Sequence, residues 1–87
     1  MKHAGPQALD ALEPLLAALR QEDGVREKTR GVFYRRGNAW LHFHEDPSGL
    51  YADLRAQEGA DFERLKVNDE PARAALLARV RSALRGP

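Results

Sequence analysis

The sequence predicts an α+β domain in which an antiparallel sheet of three to four strands carries an N-terminal and a C-terminal helix on one face, in the order α-β-β-β-β-α. Three observations predict it. The run Ala39-Trp40-Leu41-His42-Phe43-His44-Glu45 and the run Leu50-Tyr51-Ala52-Asp53-Leu54-Arg55 both alternate at every second residue, on either side of Asp46-Pro47-Ser48-Gly49. Leu9, Leu12, Leu16 and Leu19 recur at helical spacing near the start of the chain, and Leu76, Leu77, Val80 and Leu84 do so near its end. At 87 residues the chain is one domain, residues 1–87. A domain of that size buries only about 60–65% of its unfolded surface, so its core has little to spare.

The first helix is expected over residues 7–21, with Pro6 in its first turn and Gly24 as terminator. Pro14 lies inside it, where proline costs about 3 kcal/mol, so the segment bends near Leu12 or begins properly at Glu13. Residues 25–36 are charged but contain Val32-Phe33-Tyr34, a β-prone run that leads into the turn pair Gly37-Asn38. A two-residue turn there sets Tyr34 opposite Leu41 and Val32 opposite Phe43, while Phe33 and Arg35 join Trp40 and His42 on the other face. A slip of one residue reverses those assignments.

In the main hairpin Glu45 faces Leu50, and the ladder continues as His44 with Tyr51, Phe43 with Ala52, His42 with Asp53 and Leu41 with Leu54. Residues 57–61 read as a loop and 62–67 as a fourth strand, with Leu65 and Val67 on one side. Asn68 or Asp69 caps the last helix, Glu70 and Pro71 suit its first turn, and Gly86-Pro87 ends it. Leu41, Phe43, Leu54, Leu65, Leu76, Leu77 and Val80 form the expected core.

Composition removes several classes of function. The chain has no cysteine, which excludes disulfides, thiolate metal sites and cysteine nucleophiles. Its formal net charge of +1 gives no global attraction to nucleic acid. No apolar run approaches the roughly 20 residues that span a bilayer, so no membrane association is expected. Asp10 and Glu13 enter too early for a secretory signal, and a cytoplasmic location is the expectation. The excess of arginine over lysine and the absence of isoleucine fit GC-rich coding.

The leucine-rich first helix, Gly24-Val25-Arg26-Glu27-Lys28, the strand Phe33-Tyr34-Arg35-Arg36, the Gly37-Asn38 turn, the strand from Ala39 to Phe43 and the leucine-rich last helix together resemble the compact bacterial MmcQ/YjbR-like domains. The resemblance covers residues 9–84. It implies a helix-flanked antiparallel sheet and raises DNA binding as a role, with no catalytic residue set to carry over. The chain departs from that pattern in its shortness and in the segment His42-x-His44-Glu45.

Three functions compete for the face opposite the aliphatic one. Trp40, His42, His44, Tyr51 and Arg55, with Arg35 beside them, have the aromatic and arginine composition of an interface, and the expected function is a protein-interaction module that pairs with a second copy of itself or with another protein. Arg30, Arg35 and Arg36 with Phe33 and Trp40 are the alternative, a nucleic-acid surface on which bases stack between guanidinium groups. His42 and His44 project from one face about 7 Å apart, and with Asp53 opposite they make a 2-His-1-carboxylate metal set. No catalytic residue and no cofactor are expected. Ser48 belongs to a turn, and the glycines form no phosphate-cradling motif.

Overall fold

Pro14 splits the first helical segment in two. In the computed structural model, which describes residues 1–57 and 59–86, helix α1 covers Pro6–Ala11 and helix α2 covers Glu13–Arg20. Each helix starts with a proline in its first turn, where the missing N–H has no partner to lose. Leu12 bonds to both: its N–H donates to the Ala8 carbonyl at 3.1 Å and its carbonyl accepts from Leu16 at 2.9 Å. Leu9, Leu12, Leu15, Leu16 and Leu19 are all buried by this pair.

Six strands form one antiparallel sheet: β1 (Lys2–His3), β2 (Arg26–Thr29), β3 (Val32–Arg35), β4 (Asn38–Asp46), β5 (Gly49–Leu54) and β6 (Glu63–Lys66), in the order β2-β3-β4-β5-β6. β1 pairs with β4 off this path, through Lys2 with Glu45 and His3 with His44, just beyond the point where β3 stops pairing. Neither β1 nor β2 has an alternating pattern. β2 is the charged segment Arg-Glu-Lys-Thr at an edge, where charge also discourages further pairing.

The main hairpin has the expected register at every pair from Leu41 with Leu54 to Glu45 with Leu50, extended by Asp46 with Gly49. Pro47 and Ser48 make the turn, and the Asp46 carboxylate accepts from Ser48 N–H at 3.2 Å and Oγ at 2.7 Å. Helix α3 covers Glu70–Arg85, and the Asp69 side chain caps it by accepting from the Ala72 N–H at 2.9 Å. Its Leu76 and Val80 pack with the α1 and α2 leucines and with Phe43, Ala52 and Leu54 in one core. The helices therefore cover the aliphatic face, as expected. Leu65 and Leu77 lie only at its margin, and Val67 is fully buried.

The first hairpin differs from expectation by one residue. Val32 pairs with His42, Phe33 with Leu41, Tyr34 with Ala39 and Arg35 with Asn38. The turn is Arg36-Gly37, with φ of 53° and 83°, the two positive values that a type I′ turn requires. Between Ala39 and Leu41 the extra residue Trp40 has no partner across the strands and forms a β-bulge. The bulge turns its side chain to the helix-covered face, where Trp40 is 5% exposed beside Phe33 at 1%. Phe33 and Trp40 thus belong to the core and not to the open face, and Val32 takes the place opposite His42. No helix among the described residues is long and apolar enough to cross a membrane.

Candidate metal centre: three histidines on the open face

The alternation of β4 that sends Leu41 and Phe43 into the core sends His42 and His44 to the other side. β1 adds a third imidazole, because its register places His3 directly beside His44. The His3 and His44 rings stack with centroids 4.9 Å apart, the His42 ring meets His44 edge-on at 4.8 Å, and His3 and His42 are 5.9 Å apart. One ring nitrogen from each of the three lies within 4.8 Å of the other two. His42 Nδ1 and His44 Nε2 are only 2.8 Å apart. The chain contains three histidines, and all three are here.

Asp53, the expected third ligand, has another commitment. It stands opposite His42 on β5, and Arg64 of β6 grips both of its oxygens through Nε and Nη2 at 2.7 Å each. Asp53 Oδ2 also lies 3.3 Å from His44 Nε2. Asp53 is thus committed to Arg64 and borders the histidine cluster through its contact with His44. Sequence reasoning missed His3, because a two-residue strand has no periodicity. The one available signal was that two of the chain's three histidines already share one face.

Burial disfavours the charged form of His42 and His44. Burial pushes His42 below the usual histidine range, and the neighbouring His44 lowers it further. Burial also lowers His44, against an opposing pull from the Asp53 carboxylate. Arg64, hydrogen-bonded to Asp53, holds that carboxyl below its ordinary value. Among the described residues His44 Nδ1 is buried without a hydrogen-bond partner. Phe62 closes the side of the cluster, its ring edge-on to His42 at 4.8 Å, and the Arg55 guanidinium lies over Phe62 at 4.3 Å.

The remaining expected site residues are dispersed. Tyr51 stands opposite His44 but turns its hydroxyl to Ser48 Oγ at 2.7 Å. Arg35 sits at the end of the sheet, 5.7 Å from the Trp40 ring, and Arg30 is held by Asp10 at 2.9 Å and Glu13 at 2.8 Å near the first helices. The expected nucleic-acid set is thus divided among the core, the helical side and the sheet end, where Arg36 also lies. Among the described residues Met1 is the large hydrophobic that stands exposed, so the apolar area that motivated self-association through Trp40 is inside the protein. Comparison of the chain with protein-family models, with curated proteins and with solved structures finds no match.

Proposed function

We propose that this domain binds a divalent transition-metal ion of the zinc class through His3, His42 and His44. The observation that carries the proposal is the convergence of every histidine in the chain, from two distant segments, on one set of ligand atoms within 4.8 Å. Zinc–nitrogen bonds of about 2.0–2.1 Å place tetrahedral ligand nitrogens about 3.3 Å apart, so small ring rotations suffice to close the set. Metal ligation requires unprotonated imidazole, the state that burial favours at His42 and His44. Asp53 adds negative charge 3.3 Å from His44 Nε2, which favours a cation beside the cluster. Three neutral ligands leave a fourth position, open toward the exposed His3 side.

Zinc titration of the full chain, read by thermal denaturation, tests the proposal. At zinc about 100-fold above Kd the folded state gains about 2.7 kcal/mol, which for a domain of this size raises Tm by about 10–20 °C. His3→Ala should abolish most of that rise without altering the metal-free Tm by more than a few degrees, because His3 is exposed. An unchanged wild-type Tm at tenfold excess zinc would overturn the proposal. A rise that persists in His3→Ala would transfer the site to a different ligand set.

A further inference from the structure

At the end of the sheet farthest from the main turn, the Arg36-Gly37 hairpin tip, the segment after β5 and the last turns of α3 enclose a cavity of about 720 Å³. Arg35, Arg36, Arg55 and Arg79 line it, together with Trp40 and Ser82, and no described lining residue is acidic. We infer that this cavity is a binding site for a small organic anion bearing phosphate or carboxylate groups.

Four arginines outside the cavity are ion-paired. Arg20 is bonded to Glu13 and Glu27, Arg30 to Asp10 and Glu13, Arg64 to Asp53, and Arg81 to Glu22. Arg35 and Arg55 have no carboxylate among the described residues. Aromatic rings hold them instead, Trp40 under Arg35 at 5.7 Å and Phe62 under Arg55 at 4.3 Å. Stacking fixes a guanidinium through its face and leaves its in-plane N–H fork for a planar or tetrahedral oxyanion. Among the described residues Arg55 Nε is buried without a hydrogen-bond partner. Arg79 contributes a further guanidinium from α3, 3.5 Å from Glu63.

A simpler account covers part of this. Cations near a helix C-terminus are favourable, and Arg35 does donate to the Ala83 carbonyl at 3.5 Å. That explains neither Arg55, which follows β5, nor the volume of this half-open cavity. About 300–1,000 Å³ is the size range of small-molecule sites. A track for nucleic acid needs basic groups spread along a surface with aromatics free to stack, and here Phe33 and Trp40 are buried while Arg30 is paired. A compact anion with an organic body fits better, its charged groups on the arginines and its body against Ala39, Ala56 and Ala83.

Isothermal titration of the metal-free full chain with pyrophosphate and with citrate, at constant ionic strength, tests the inference. We expect saturable one-to-one binding of at least one probe, with pyrophosphate preferred if the ligand is phosphorylated and citrate preferred if it is a polycarboxylate. Arg79→Gln and Arg55→Gln should each weaken it at least about tenfold, the loss expected of one charge-assisted contact, while Arg26→Gln, on the edge strand β2, leaves it unchanged. If Arg55→Gln loses the fold through Phe62, Arg79→Gln still decides. No saturable binding at millimolar probe, an equal loss in Arg26→Gln, or tighter binding of a single-stranded oligonucleotide than of either probe would overturn the inference.

Discussion

Replacing Trp40 by alanine separates two registers that differ by a single residue. In the bulged register the indole is 5% exposed and lies in the core with Phe33 and Leu41. Removing such a side chain costs about 3–5 kcal/mol, because the transfer free energy of the ring is lost and the cavity collapses only in part. At about 0.05–0.15 kcal/mol per residue, an 87-residue domain has about 4–13 kcal/mol in total, so the substitution removes about a quarter or more of it. With about 4–8 °C per kcal/mol, the expected fall in Tm is about 12–40 °C. Trp40→Glu, which adds a buried charge, should not fold at all. Urea denaturation followed by far-ultraviolet circular dichroism is the suitable assay, since the chain has one tryptophan and the variant loses that fluorophore. A loss under about 1 kcal/mol for Trp40→Ala, typical of a surface position, would refute the bulge and return Trp40 to the open face.

Acid should weaken the metal-free protein in a window set by the histidines. Burial lowers His42 and His44 in the folded state, so the unfolded chain takes up protons first as pH falls through the ordinary histidine range, and stability declines there until the folded-state values are passed. Urea midpoints measured from pH 8 to pH 5 check the sign, and a midpoint that rises on acidification would contradict it. Gly31→Ala should cost more than about 1 kcal/mol, since φ is +81° and a Cβ there would stand 2.6 Å from Leu9 Cδ2. Thermal denaturation reads that loss, and an unchanged Tm would mean that α1 does not pack on the β2–β3 turn as described.

The main hairpin was legible in the sequence because two independent signals agreed. Strict alternation fixed which residues share a face, and Asp46-Pro47-Ser48-Gly49 fixed where the chain reverses. The last helix was legible for the same reason, with a cap, a proline in the first turn and an apolar stripe in phase. The first hairpin lacked such agreement: Arg36-Gly37 and Gly37-Asn38 are overlapping two-residue turns, and the one adopted puts an arginine at φ 53°, which an arginine side chain does not advertise. One bulge then cancelled the phase, so that Trp40 and Leu41, adjacent in sequence, are both buried. His42, His44 and Asp53 were correctly brought together, but the competition of Arg64 for Asp53 depends on pairing between β5 and β6 that no spacing rule predicts. The arginine cavity draws on two hairpins' ends and a helix terminus, and such a site has no linear signature.

His3 reaches the proposed metal centre on the shortest strand in the sheet. β1 is held to β4 by its pairing at two residues, by the Ala4 N–H donating to the Phe43 carbonyl at 3.0 Å, and by loose ion pairs from Met1 to Asp46 at 3.8 Å and Lys2 to Glu45 at 3.9 Å. The proposed ligand set is therefore unequal in its mechanics, two donors fixed in a long central strand and one on a latch. Capture would proceed in two stages, a weak encounter with the fixed pair followed by closure, and the second stage multiplies affinity by the effective concentration at which the tether presents His3. Residence time then becomes a property of the latch, adjustable at Lys2 or Glu45 without altering any atom that touches the ion.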